Sequence, residues 1–342
     1  MKSAILGFGR YLPRFRLRTS AIAEHWQQDS AALASSLGIT EKTVPDRDED
    51  SFTMAFEAGK QAIEGAGIRP SQISAIFVGS ESHPYAVKPT SGMLASALEL
   101  DPFSHCADLE FACKAGTAGM QIVDAFIRAG QIEYGIAIGT DTAQAKPGDA
   151  LEYSAAAGAA AIVLGSEKAK GALARIERTL SFTTDTPDFW RAADERFPQH
   201  AGRFTGEPGY FHHVRTAIRG MLDTAKLEVK DIAHVVLHMP NAKFPTAIMK
   251  EFGFTKEQCA LGFIVPKVGN TYSACSLLGL TSVLEEAKKG ETVLLVSYGS
   301  GAGADAFLLT MLQSGSPLPP DERELTYVSY AQYLDHCHLT PR

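Results

Sequence analysis

The chain has 342 residues, 45% apolar and 21% charged, with 32 Lys and Arg against 39 Asp and Glu for a formal charge of −7. That length can bury a large core and points to two domain-sized halves, while the acidic balance lacks the basic footprint of a nucleic-acid binder. No run reaches the ~18 apolar residues of a membrane span. Residues 1–7 enter strand-like sequence without a signal peptide's long apolar region, and the five cysteines form no CxxC pair. A cytoplasmic enzyme with neither a metal site nor a disulfide framework is expected.

Residues 3–9 are a short apolar run ending in glycine, and Tyr11-Leu-Pro-Arg-Phe-Arg-Leu follows as a loop or edge strand. A helical pattern covers residues 19–26. After the acidic turn 46–50, Asp50-Ser51 is placed to cap a helix over residues 52–66. Ile73-Ser-Ala-Ile-Phe-Val-Gly reads as a buried strand leading into Ser80-Glu-Ser-His-Pro, and a helix is expected at about 91–98. Next comes Ala107-Asp-Leu-Glu-Phe-Ala-Cys-Lys-Ala-Gly-Thr-Ala-Gly119, a strand end and a small-residue turn entering a helix. In that helix Ile122, Val123, Phe126 and Ile127 recur at helical spacing. Residues 134–140 and 158–164 read as further core strands.

The second half repeats this order. Ile232-Ala-His-Val-Val-Leu-His-Met-Pro-Asn is a strand with a polar exit, and Gly269-Asn-Thr-Tyr-Ser-Ala-Cys-Ser-Leu-Leu-Gly-Leu a small-residue corner entering a helix. Two more apolar strands follow at residues 293–299 and 305–311. Glu81 and Cys113 stand 32 residues apart (113 − 81), and His238 and Asn270 the same 32 (270 − 238). Long-period similarity is a fold-level signal. Strands alternating with helices imply mostly parallel sheets covered on both faces. The expected fold is α/β with two pseudo-repeated halves, 1–166 and 167–342. The second half carries an inserted loop at 180–214, read as lying over the site, and an extended surface tail at 314–342.

Packed face to face, such halves bring Glu81, Cys113, His238 and Asn270 together. Cys113 sits at a strand-to-helix corner, where the helix N-terminus favours a thiolate, the nucleophilic form. A buried packing cysteine is the plainer alternative. Glu81 reads as a solvated turn carboxylate or a partly buried general base with a raised pKa. His238 is a satisfied core histidine or an acid–base partner of Cys113, and Asn270 an N-cap or an amide donor to a substrate oxygen. His83 and Cys275 read as loop-orienting and packing residues, and adjacent His212-His213 point apart on a helix.

At these residues the sequence resembles the thiolase superfamily and, within it, archaeal-type 3-hydroxy-3-methylglutaryl-CoA synthases. The matching stretches include Gly79-Ser-Glu-Ser-His-Pro-Tyr-Ala-Val-Lys-Pro-Thr, Glu110-Phe-Ala-Cys-Lys-Ala-Gly-Thr, Gly202-Arg-Phe-Thr-Gly-Glu-Pro and Gly269-Asn-Thr-Tyr-Ser. The resemblance implies a thiolase-like, five-layered αβαβα fold and a catalytic set at Cys113, Glu81 and His238. It implies substrate contacts around Asn270, Ser154, Thr205, Ser300, Asp29 and Ser30, with Arg203 and Lys243 on coenzyme A. The family's His-Gln-Pro-Asn-Gly-Lys reads His238-Met-Pro-Asn-Ala-Lys243 here, and a second departure is Cys275. The implied reaction joins acetyl-CoA to acetoacetyl-CoA, or a related β-keto thioester, without a cofactor. Implied partners are a second copy in a homodimer, and a thiolase with an OB-fold/zinc-ribbon protein. Two other readings stand beside it: a decarboxylating enzyme like β-ketoacyl-ACP synthase III, and a structural subunit of an acyl-transfer assembly.

Overall fold

In the computed structural model, which describes residues 2–142 and 145–339, the apolar runs become strands and the helical patterns helices. The first half holds β1 (Ser3–Tyr11), α1 (Ser51–Ala66), β2 (Ile73–Gly79), α2 (Thr90–Ala97), β3 (His105–Leu109), α3 (Ala115–Arg128), β4 (Tyr134–Asp141) and β5 (Gly158–Ser166). The second holds β6 (Ala174–Thr183), α4 (Phe211–Ala225), β7 (His234–Leu237), α5 (Lys243–Phe252), α6 (Cys275–Glu286), β8 (Thr292–Gly299) and β9 (Gly303–Met311). Local sequence sets the boundaries. The Asp50 carboxylate accepts the Thr53 N–H, and the Thr53 hydroxyl accepts the Asp50 N–H, both at 2.8 Å, closing a capping box that starts α1.

The strand order is β7-β8-β9-β6-β1-β5-β4-β2-β3. β1 and β6 share two residue pairs, Ala4–Arg175 and Ile5–Ala174, so the sheet divides there into two half-sheets. Their connectivity repeats: β1-β5-β4-β2 and β6-β9-β8-β7 each run antiparallel, antiparallel, then parallel. β3 extends the first set in parallel with β2. The sheet is thus mixed rather than mostly parallel. β8 and β9 are joined by a tight turn and β4 and β5 by a loop with one short turn of helix, and strands joined without a crossover helix pair antiparallel.

Alternation along the strands builds the layers. On β1, Ala4 and Leu6 face α1, whereas Ile5 and Phe8 face a central core containing Met120, Val123, Leu277 and Leu280 of α3 and α6. On β8, Val293 and Leu295 face that same core, and Leu294 and Val296 face Val214, Ile218 and Met221 of α4. The result is five layers: α1 and α2, a half-sheet, α3 and α6, a half-sheet, α4 and α5. Each fully buried Leu, Ile or Met contributes about 1.5–3 kcal/mol over leaving it in water.

The tail departs from the extended segment expected. Tyr330–His336 is a helix opened by a Ser329 capping box. It buries Tyr333 among Leu17, Ile22 and Tyr153, because three aromatic or aliphatic side chains fall on one face. Residues 180–214 hold the end of β6, a small hairpin (Phe189–Trp190 with Gln199–His200) and the kinked entry to α4.

Candidate active site

Both central helices begin at a corner of the same build. A single 3-10 turn, Ala112–Lys114, precedes α3, and Tyr272–Ala274 precedes α6; the two turns lie against each other. Each opens on a residue in the left-handed region, φ 45° at Ala112 and 49° at Tyr272. Such a conformation costs a non-glycine residue on the order of 1–3 kcal/mol, so its recurrence fixes the register of the repeat. Cys113 aligns with Ser273, and Asn270 with Glu110. The equal 32-residue spacing therefore does not mark equivalent residues; the true offset is three residues longer. Glycines let the strands meet these corners: a Cβ on Gly139 would stand 2.3 Å from the Ser273 carbonyl oxygen, and one on Gly79 2.3 Å from Ala115 backbone.

Cys113 is buried, and its thiol donates to Glu81 Oε1 at 3.2 Å. Burial first, and the Glu81 charge second, push the thiol well above its ordinary value. Both oppose the thiolate that the helix N-terminus favours, and the thiol donates to a carboxyl group. Glu81 keeps partial exposure at the wall of a cavity of about 590 Å³, yet burial of its carboxyl and the neighbouring Asp141 charge push it up to about 8.

Asp141, which sequence reasoning missed, organises this half of the site. It ends β4 fully buried, and its Oδ1 accepts the Ser80 hydroxyl (2.9 Å), the Glu81 N–H (2.8 Å) and the Ser82 hydroxyl (2.7 Å). Its Oδ2 accepts the Ser273 N–H at 2.9 Å. One carboxylate thus ties the Glu81 loop to the second corner. Burial raises its pKa against those donors. The available signal was an acid directly after an apolar strand, the same signal that singled out Glu81.

His238 lies just past β7, its N–H bonded to the Val296 carbonyl at 2.8 Å and its own carbonyl accepting the Tyr210 hydroxyl at 2.8 Å. The side chain is buried, Nδ1 has no hydrogen-bond partner among the described residues, and burial alone holds the imidazole down at about 3. It is neutral at pH 7. Asn270 pairs with Ser154 through its N–H (2.7 Å), and its Oδ1 accepts the Tyr272 N–H at 3.0 Å. With the oxygen so occupied, the amide Nδ2 is the end left to donate. The two sequence departures meet beneath His238: Cys275 Sγ accepts the Met239 N–H at 3.4 Å.

The remaining residues fall in two places. Ser300 lines the Glu81 cavity. Arg203, Thr205 and Lys243 lie on adjoining segments, since Gly206 approaches Phe244 and Phe244 packs on Phe211 at 4.9 Å between ring centres. Arg203 and Lys243 are exposed. The short helix Ser30–Leu37 reaches this place at its other end, where the Leu37 carbonyl accepts the Ala242 N–H at 2.8 Å. Asp29 caps that helix, accepting the Ala31 and Ala32 N–H groups at 2.9 and 3.0 Å, with Ser30 following in its first turn.

Comparison with known proteins places the fold and the family. Residues 222–311 match the family model for the C-terminal part of 3-oxoacyl-[acyl-carrier-protein] synthase III. A hydroxymethylglutaryl-CoA synthase from Archaeoglobus fulgidus is 49% identical over 338 residues, covering 97% of each chain. One from Methanococcus vannielii is 47% identical over 339 residues, again 97% of each. Among solved structures, an HMG-CoA synthase complexed with CoA superposes with TM-score 0.88 at 21% identity, covering 98% of this chain and 90% of that one. A 3-oxoacyl-(acyl carrier protein) synthase III from Pseudomonas aeruginosa gives 0.81 at 20%, covering 94% and 100%.

The fold is thiolase-like, and the curated relatives make the chain a condensing acyltransferase that works on acyl-CoA thioesters. Within that class the chain belongs to the hydroxymethylglutaryl-CoA synthase family. Its reaction joins acetyl-CoA to acetoacetyl-CoA, giving 3-hydroxy-3-methylglutaryl-CoA and CoA, the step that feeds the mevalonate pathway.

Proposed function

We propose that Cys113 carries the acetyl group, Glu81 moves the protons and His238 serves the oxygen of the acceptor ketone. The observation that carries this is the Cys113–Glu81 hydrogen bond of 3.2 Å. Cys113 attacks acetyl-CoA, its proton passing by way of Glu81 to the departing CoA sulfur. Ionised Glu81 then takes a proton from the acetyl methyl, a weak carbon acid that needs a base in contact and donors on the enolate oxygen. The Asn270 amide is such a donor. The enolate carbon attacks the ketone of acetoacetyl-CoA, the neutral His238 imidazole donates a hydrogen bond to the forming alkoxide, and the alkoxide takes up through it the proton that Glu81 removed from the methyl group. Water finally cleaves the Cys113 thioester, leaving a carboxylate and regenerating the thiol.

Ser154, Thr205 and Ser300 are proposed to line the acyl path, and Asp29, Ser30, Arg203 and Lys243 its mouth for coenzyme A. An exposed lysine and arginine on adjoining segments suit phosphates. The test is intact mass after mixing with acetyl-CoA: a 42 Da acetyl adduct (about one C2H2O unit by composition) in the wild type, absent from Cys113→Ala, and discharged by acetoacetyl-CoA. An adduct that ignores acetoacetyl-CoA and reacts with malonyl thioester would overturn the assignment in favour of decarboxylating condensation.

A homodimer through β3 is also proposed. β3 is an edge strand of the sheet, and nearby Phe103 and Val87 are 98% and 95% exposed. Unpaired edges and apolar surface are what association covers. Phe103→Asp should shift sedimentation toward the monomer. The boundary between halves is placed at 166/167, the location in the cytoplasm, and association with a thiolase and an OB-fold/zinc-ribbon protein would show as co-elution. Among the described residues no helix is long and apolar enough to cross a membrane.

A further inference from the structure

We propose that Arg191 is the receptor for the carboxylate that the last step creates. The inference rests on the condensing reaction above and extends it to the product's free end. In that step water oxygen bonds to the acyl carbon, the carbon–sulfur bond breaks, and one water proton passes to the Cys113 sulfur. The resulting acid gives up its proton to solvent and becomes a carboxylate. Neither substrate carries this charge; the product does. The charge appears beside Glu81, buried Asp141 and exposed Glu110, all of the same sign.

Arg191 is the one Lys or Arg on the wall of the Glu81 cavity among the described residues. Its guanidinium donates to the carbonyl oxygens of Glu81 (3.4 Å) and Glu195 (3.2 Å), and no carboxylate in the described residues forms an ion pair with it. Its charge acts on the Glu81 carboxyl without a direct ion pair, and the side chain is already anchored on the catalytic loop. Its support is rigid. Arg191 follows the hairpin strand Phe189–Trp190, whose root is the buried Asp188. Asp188 accepts the Tyr298 hydroxyl, the Thr186 hydroxyl and the Gly301 N–H at 2.7–2.8 Å. At the other strand, His200 meets Asp149 at 3.0 Å. A fork of N–H donors on a fixed platform matches a carboxylate better than it matches the neutral ketone of acetoacetyl-CoA.

The experiment compares wild type, Arg191→Gln and Arg191→Lys by titration with acetoacetyl-CoA and with 3-hydroxy-3-methylglutaryl-CoA. Binding of the product should weaken about tenfold or more in Arg191→Gln, with acetoacetyl-CoA affinity unchanged and Arg191→Lys restoring part of the loss. Intact mass under turnover should show the six-carbon acyl-enzyme accumulating in Arg191→Gln, less so in Arg191→Lys, with the acetyl adduct of Cys113 still forming in both. Equal losses for both ligands, or none for the product, would overturn the assignment and leave Arg191 a support for its loop. Failure of the wild type to form the acetyl adduct would instead strike at the condensing reaction itself.

Discussion

Glu81 is poised by burial and three neighbours. Burial most, then Asp141, push its carboxyl up, the Cys113 hydrogen bond and then Arg191 pull it down, and the balance stands at about 8. A base that must be ionised gives kcat/KM a rising limb toward that pH. Removing the Asp141 charge lowers Glu81, so Asp141→Asn should move the limb to lower pH, whereas loss of the Ser80–Ser82 anchor should cut kcat on the order of a hundredfold; a pH–rate profile reads both. The same residue burdens the fold. Between pH 4.5 and about 8 the unfolded chain has released the proton that native Glu81 keeps, so stability falls as pH rises across that window. Glu81→Gln removes the effect. Its advantage over wild type in urea denaturation should grow from pH 5 to pH 8 by a few kcal/mol, roughly 1.4 for each pH unit of the shift.

At the scale of elements, the corner of Cys113, the proposed nucleophile, is fastened by the residue after it. Lys114 meets Asp305 of β9 at 3.0 and 3.1 Å, both buried, and Asp305 also accepts the Thr117 and Ser181 hydroxyls. Breaking one side of such a pair strands a charge, so Lys114→Met should lose about 3–5 kcal/mol in chemical denaturation, and the double change with Asp305→Leu should recover much of it. Little of this was legible beforehand. The strands and helices announced themselves by period, and Cys113, Glu81 and His238 by position after apolar strands. Asp141, Asp305 and Arg191 act through contacts made across the chain; Asn270 was named from the sequence, but its pairing with Glu110 rather than Cys113 shows only through the left-handed residues Ala112 and Tyr272. Antiparallel pairing of β4 with β5 was hidden because a long loop looks alike whichever way the chain returns.

For the whole molecule, the C-terminal helix closes the core behind the Ser154–Asn270 corner. Lys42, fully buried, bonds the Glu152 carbonyl and sits 4.3 Å from the centre of the Tyr333 ring. Glu152 in turn accepts the Tyr330 hydroxyl at 2.8 Å and the Trp26 indole N–H at 3.1 Å. Burial holds the Lys42 ammonium down at about 8. Tyr333→Ala opens a cavity over this cation and should cost about 3–5 kcal/mol in chemical denaturation. The KM for acetyl-CoA should rise with it, because Lys42 contacts the backbone two residues from Ser154.

The doubled corner has a stoichiometric consequence. Ser273 occupies the place that Cys113 holds in the other half, but its hydroxyl points to the Gly79 and Thr140 carbonyl oxygens at 2.7 and 3.2 Å and accepts the Thr140 N–H at 3.1 Å. A hydroxyl so engaged is a clamp, not a nucleophile. In the proposed mechanism the two corners divide the labour, the first carrying reactivity and the second rigidity. Titration with radiolabelled acetyl-CoA should therefore saturate at a single equivalent per polypeptide, and Ser273→Ala should loosen the enzyme without changing that count.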